Sequence, residues 1–350
     1  MICLNTNKKT VFIFIIMAGK KVTNLNLYYN SDKCRIIYLE GGECWSDFEF
    51  ISNLKNTDYV FYQFTWNIEE LINSFPWSMN EKLKNNDNFD VKTNVIFCAP
   101  TEKLNEIIKS KGYRSILLNH NCLLDYNKYN LDSNENERIY NAVINSRPFW
   151  WKRVYLASKV NKLLYIKGND WAKDKTSWDG YKNMDLTLKS EINQYEVNKL
   201  YNKSKVGLIL SGNTGENQQG LFEGANYSSS EYLISGLPVV STKSGGGRDY
   251  WFDNYNSIIC EPDEDSVKKS VEIMLEKLSN GEISREKIRN DQIEKMNLMR
   301  ENFINETKEI FNTHGLNVDA KQFFKDNYFH KMCAYSLIGY KNIFLQKKLS

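Results

Sequence analysis

The chain reads as an α/β protein built from two parallel-sheet domains, and three observations point there. Short apolar runs alternate with polar, helix-spaced segments over most of its length. The alternation comes as two series, separated by an Asn- and Asp-rich stretch from 125 to 137 with the composition of a linker. At 350 residues the chain exceeds one ordinary core and suits two nucleotide-fold-sized halves.

In the first series the apolar runs predict strands at Val11–Ile16, Arg35–Leu39, Tyr59–Phe64, Asn94–Cys98 and Ser115–Leu118. Thr101 to Lys111 has Leu104, Ile107 and Ile108 at helical spacing, with Gly112 where a helix stops. Strand, helix and strand in so short a span make a βαβ unit, hence a parallel sheet. The run from Val11 to Ala18 follows Asn7-Lys8-Lys9-Thr10 and has the outline of a signal peptide. However, Gly19-Lys20-Lys21 replaces a small-residue cleavage site, and the run is too short to span a bilayer, so it reads as a buried strand.

The second series predicts strands at Ile139–Asn145, Leu163–Ile166, Leu186–Leu188, Val206–Leu210, Pro238–Ser241 and Ser257–Cys260. Helices are expected at Gln194 to Lys203, Ser229 to Ser235 and Asp265 to Leu278. The last carries Val267, Val271, Met274 and Leu278 on one face and stops at Asn280-Gly281. A long helix from about Arg285 to Phe311 and a lysine- and aromatic-rich tail complete the chain. The expected division is a domain over 1–120, a linker over 121–137, a domain over 138–316 and a tail over 317–350. The tail's default role is packing back on the first domain, and its lysines and aromatics also suit a membrane surface.

Composition excludes several classes. With 41% hydrophobic and 25% charged residues the chain is globular. A net charge of +3 gives no field for nucleic acid. Seven scattered cysteines without a C-x-x-C pair argue against a disulfide framework or zinc site and for a reducing compartment. Only nine of the basic residues are arginine, so an arginine inside a motif carries information.

In open parallel sheets ligands bind beyond the carboxyl ends of the strands. The most informative stretch lies there: Glu223-Gly-Ala-Asn-Tyr-Ser-Ser-Ser-Glu231, followed by Gly236-Leu237-Pro238-Val239-Val240. The N–H groups of about Asn226 to Ser229 form a helix entrance, and unpaired N–H groups plus the helix dipole suit a diphosphate.

This stretch resembles the nucleotide-sugar motif of glycosyltransferase family 4, retaining enzymes with the two-domain GT-B fold. Arg147 and Lys152, at the end of a strand, resemble that family's Arg-x4-Lys pair. The resemblance implies a GT-B architecture, two Rossmann-like domains facing a central cleft. It implies that Arg147 and Lys152 hold the donor diphosphate in place of a metal, that Glu223 contacts the donor sugar and that Glu231 binds the ribose. Gly224, Asn226, Tyr227 and Ser228 would line the donor, Gly168 would form a glycine-containing turn, and Lys189 and Ser190 would fall at the base pocket. The implied activity is sugar transfer from a nucleoside-diphosphate donor, a UDP- or GDP-sugar, with no cofactor, to a glycan, glycolipid or protein acceptor. Surface polysaccharide or glycolipid synthesis is the setting it implies, in the cytoplasm or at the inner membrane face. An epimerase of the same fold and a catalytically silent nucleotide-sugar-binding protein are the alternatives.

Other readings stand beside these. Ser228 and Glu231 fit a capping box. The family's donor-side histidine has no counterpart in the first half, since His120 falls on the interdomain crossing. Gly19 and Gly41-Gly42 are candidates for the acceptor loop. Gly245-Gly246-Gly247 suits close passage of a loop past a ligand. Trp150-Trp151 is expected in the core, with sugar stacking as the alternative. Asp263-Glu264-Asp265 is expected to cap a helix and not to hold a metal.

Overall fold

The computed structural model describes residues 25–41, 54–64, 89–132, 137–168, 177–212, 226–244 and 247–327. The strand expected at Val11–Ile16, Gly19, Gly42 and the tail beyond 327 lie outside the described residues.

The first sheet holds β1 (Leu25–Asn30), β2 (Arg35–Gly41), β3 (Asp58–Phe64), β4 (Val95–Ala99) and β5 (Arg114–Leu117), side by side in chain order. β2 to β5 run parallel and β1 pairs antiparallel with β2. Every residue of β3 and β4 is buried, as a sheet covered on both faces requires. β1 was not expected, because its Asn26 and Asn30 interrupt the apolar run; a turn in which the Ser31 N–H donates to Cys34 O at 3.0 Å brings it onto β2. A short helix α1 (Val91–Asn94) precedes β4. Helix α2 (Glu102–Ser110) starts where the Thr101 side chain accepts from the Leu104 N–H, and buries Leu104 and Ile108. It stops at Gly112, whose φ of +80° only glycine adopts without strain.

The second sheet is wholly parallel: β6 (Tyr140–Ser146), β7 (Leu163–Lys167), β8 (Leu186–Ser190), β9 (Ser204–Ile209), β10 (Val239–Thr242) and β11 (Ser257–Cys260). Its spatial order is β11-β10-β9-β6-β7-β8. The chain starts at the centre, builds outward through β7 and β8, and returns to the other side with β9. The order therefore reverses between β6 and β9, the point above which open sheets of this kind bind their ligands. Helices α3 (Gln194–Asn202) and α4 (Tyr227–Ile234) connect β8 to β9 and β9 to β10, and α5 (Glu264–Ser279) follows β11. Tyr232 of α4 lies on Gly207 of β9, where a Cβ would meet its ring at 2.3 Å, so the glycine admits close helix–strand packing.

Helix α6 (Arg285–Thr313) runs along both sheets. Near its start Arg285 donates to Ser204 O and Lys205 O at 3.0 and 3.1 Å. In its second half Asn302 donates to Leu117 O, Arg114 pairs with Glu306, and Phe303 packs on Tyr28 and Phe61. Between these points Arg300 donates to Cys122 O and Leu124 O at 2.6 and 2.7 Å, so the helix grips the crossing itself. Helix α7 (Ala320–Asn327) places Phe323 against Tyr28 and Tyr29. No described helix is long and apolar enough to cross a membrane.

Candidate active site

Four basic side chains, Arg147, Lys152, Arg153 and Arg248, gather beyond the carboxyl ends of β6, β9 and β10. After β6 the chain passes exposed Arg147 and turns through a 3-10 segment, Trp150–Lys152, into Arg153, which sits in the left-handed region at φ 47°. Such a conformation costs a non-glycine residue on the order of 1 kcal/mol. It is held by the Arg153 guanidinium, which donates to Leu210 O and Thr242 Oγ1, both at 2.7 Å. A Cβ on the next glycine along, Gly212, would stand 2.1 Å from Arg153 Nη2, so that position leaves room for the arginine.

A second guanidinium lies behind it. Arg248, wholly buried, donates to Ser211 O and Ser211 Oγ at 3.1 and 2.9 Å, bonds Thr242 O, and pairs with Asp249 at 3.1 Å. Two arginines thus tie the ends of β9 and β10 together. Lys152 is partly exposed as a residue, but its ammonium is withdrawn from water. That desolvation, reinforced by the Arg248 and Arg147 charges, pushes its pKa down to about 7.

The opposite wall is the entrance of α4. Its cap is Asn226, whose side chain accepts from the Ser229 N–H at 3.1 Å. The helix begins two residues before the expected Ser229 start, and Ser228 is inside it, not its cap. The Ser228 hydroxyl donates to Asn145 O at 2.8 Å, which fixes the entrance against the end of β6, two residues before Arg147. Because the cap uses the Ser229 N–H, the anion site narrows to the groups ahead of it.

Glu231 does not close a capping box. It is buried, and its two carboxylate oxygens accept from the hydroxyls of Tyr129 and Tyr201, each at 2.7 Å. Burial raises its pKa, and the two hydroxyl bonds oppose that rise. Tyr201 in turn accepts from Asn145 Nδ2 at 2.5 Å, and Tyr232 donates nothing to the carboxylate but accepts from the Asn145 N–H.

The interdomain crossing completes the wall. The Asn121 side chain donates to Asn226 O and Ser229 Oγ at 2.8 and 3.2 Å, and that of Asn119 donates to Gly247 O at 2.9 Å. His120, between them, packs its ring on Tyr227 at 4.8 Å. The histidine of the crossing is therefore beside the helix entrance, which its place in the sequence did not suggest.

Of the expected residues, Arg147, Lys152, Asn226, Tyr227 and Ser228 come together around the site. Gly168 joins them: a Cβ there would lie 3.4 Å from Arg147 Cγ. Lys189 and Ser190 are exposed at the end of the edge strand β8. Glu223, Gly224, Gly245 and Gly246 lie outside the described residues. Gly247, at φ +86°, approaches Pro100, where a Cβ would stand 3.0 Å from Pro100 Cβ, so it serves the contact between the halves. Asp263 caps α5 by accepting from the Ser266 N–H at 2.8 Å. Trp150 and Trp151 are half-exposed, and the buried ring of that loop is Phe149. Pattern reading missed Asn119, Asn121, Tyr129, Tyr201, Arg153 and Arg248; the scarcity of arginine was the one signal available for the last two.

Two sheets, a reversal in the second and a helix laid back across both define the GT-B fold. Solved structures agree. Sucrose-phosphate synthase from Thermosynechococcus elongatus aligns with a TM-score of 0.56 and 10% identity over 79% of this chain and 74% of that one. TarM aligns at 0.53 and 18% over 79% of this chain and 54% of its own, so the chain spans little more than half of TarM. Anabaena HepE, solved in complex with UDP, aligns at 0.50 and 11% over 72% of each chain. No protein-family model and no curated protein sequence matches the chain.

Proposed function

We propose that the protein is a retaining glycosyltransferase moving a sugar from a UDP- or GDP-sugar to an acceptor hydroxyl, without a metal. The observation that carries this reading is the cationic cluster at the strand-order reversal, where Arg147 and Lys152 stand opposite the α4 entrance. A departing diphosphate gains negative charge in the transition state. A fork, a point charge and helix N–H groups fixed beforehand stabilise that charge without reorganising. Arg153 and Arg248 stand behind them, so the field persists when no ligand is bound.

Asn226, Tyr227 and Ser228 line the diphosphate, with Gly168 letting Arg147 lie close. Glu223, with Gly224, contacts the donor sugar, and Lys189 and Ser190 receive the base. Glu231 binds the ribose hydroxyls by exchanging them for those of Tyr129 and Tyr201. Front-face attack, with the leaving phosphate oxygen taking the acceptor proton, keeps the anomeric configuration. Glycans, glycolipids and proteins are the acceptor classes, and cell-surface polymer synthesis at the cytoplasmic membrane face is the setting.

The test is incubation with UDP- and GDP-sugars and a panel of glycoside, glycolipid and peptide acceptors, with the product anomer read by NMR. Expected are transfer with retention and equal rates in EDTA and magnesium. Activity abolished by EDTA and restored by a divalent ion, or an inverted product, overturns the reading. Glu223→Gln should lower turnover by about one to three orders of magnitude while leaving nucleotide affinity nearly unchanged.

A further inference from the structure

We propose that Trp150 and Trp151 form a stacking platform for a pyranose ring beside the diphosphate site, a ring supplied by either the donor or the acceptor. This inference rests on the transferase reading and assigns residues to its sugar subsite.

Position is the first argument. The two indoles fill the turn between Arg147 and Lys152, so they crown the carboxyl end of β6 at the order reversal. A ligand held by those two cations has its next chemical group within reach of this turn.

Exposure is the second. In the same turn Phe149 is buried, at 3% exposed, as Trp251 is farther along this half. Trp150 and Trp151, next to Phe149, are only partly buried and keep part of their ring surface open to solvent.

Rigidity is the third. Phe149 stacks beneath Trp151 with centroids 4.4 Å apart and planes 23° from parallel, and Trp150 stands edge-on to Trp151 at 5.8 Å and 89°. The backbone is pinned as well. Trp151 O accepts from the Gly212 N–H and Trp150 O from the Arg153 N–H, both at 3.1 Å, while Pro148 O accepts from the Trp178 N–H at 2.6 Å. An aromatic face held this firmly loses little entropy when a ligand covers it.

Chemistry chooses the ligand class. A pyranose presents one C–H face and a rim of hydroxyls. Two perpendicular indoles offer a π-face for the first and N–H donors for the second. Phosphate has no apolar face to offer.

The experiment uses the full chain with Trp150→Ala, Trp151→Ala and Trp151→Phe. Calorimetry measures the affinity for UDP, UDP-glucose and UDP-N-acetylglucosamine. Transfer kinetics use methyl glycosides of glucose, galactose and N-acetylglucosamine as acceptors. The alanine variants should bind UDP within about twofold of wild type. If the donor supplies the ring, UDP-sugar affinity falls roughly fivefold or more. If the acceptor supplies it, donor affinity holds and the acceptor KM rises by about the same factor. In either case Trp151→Phe should recover most of the Trp151→Ala loss, which a mere loop-packing role would not discriminate by ligand.

An equal fall for UDP and for UDP-sugars would overturn the proposal in favour of a base-stacking or loop-positioning role. Unchanged affinities and KM values would overturn it outright. A wild type that binds no nucleotide sugar would instead remove the transferase reading, and the platform with it.

Discussion

The two sheets face the same problem at their carboxyl edges and solve it with different groups. In the first, the buried Gln63 side chain donates to Phe64 O, Cys98 O and Leu118 O at 3.0, 3.3 and 3.0 Å, joining the ends of β3, β4 and β5. In the second, Arg153 and Arg248 join the ends of β9 and β10 through Leu210 O, Ser211 O and Thr242 O. A neutral amide satisfies strand-end carbonyls without a field. A buried guanidinium satisfies them too, yet its desolvation is costly, on the order of several kcal/mol for a buried ion before compensation. Spending charge where an amide suffices elsewhere in the same molecule makes sense if the charge has a second task. The second task proposed here is the field under a diphosphate.

That comparison breaks most visibly at Arg248. Arg248→Met removes a charged donor from Ser211 O and Thr242 O and should destabilise the protein by about 4 kcal/mol in urea melts. It should also weaken UDP binding about tenfold, measured by calorimetry on the folded fraction. If UDP affinity survives, Arg248 is a clamp and no more.

Glu231→Ala comes next. Two buried tyrosine hydroxyls lose their acceptor and a cavity opens, so thermal melts of the unliganded protein should show a loss of about 2–3 kcal/mol. UDP affinity should fall at least roughly tenfold if the ribose takes the place of those hydroxyls. An unchanged affinity with the same melt would assign Glu231 to the fold alone.

Gln63→Leu is the matched neutral case. Three carbonyls lose a donor, for a loss of about 2 kcal/mol, but UDP affinity should stay within about twofold of wild type. A large loss of affinity here would mean that clamping, not charge, governs the site.

Lys152→Met tests the field with no expected loss of stability at neutral pH, because it removes an ammonium that burial disfavours. The folded pKa is pushed down to about 7 from 10.5, so between those values the unfolded chain binds more protons at this site, and stability rises with pH. The variant should lose that rise. A diphosphate favours the ammonium, so above pH 7 its binding takes up a proton, and UDP affinity should fall as pH climbs towards about 9. Titrations in buffers of different ionisation enthalpy read that uptake, and Lys152→Met should abolish it.

How much of this was legible beforehand varies with how local the cause is. β2, β3, β4, β6, β7, β9 and β10 fall within a residue or two of their apolar runs, because burial on both faces of a parallel sheet writes itself as consecutive apolar residues; β11 matches its run too, although it is an edge strand with Ile259 exposed. β1 was hidden, since its two asparagines break the run. The α4 start was two residues late, because both Asn226 and Ser228 are good caps by residue type. Only the bond from the Ser229 N–H shows which of them is used.

The sequence by itself determined the two-sheet α/β plan, the placement of Arg147 and Lys152 at a strand end, and a helix entrance somewhere in Asn226–Ser229. Each depends on periodicity or on neighbours a few residues away. Tertiary structure alone decided the strand-order reversal, the Asn119 and Asn121 bonds from the crossing, and the arginine clamps. It also decided the partners of Glu231, which come from Tyr129 and Tyr201, 102 and 30 residues away. A buried carboxylate must find donors wherever the fold supplies them, and no local pattern records which distant hydroxyls those will be.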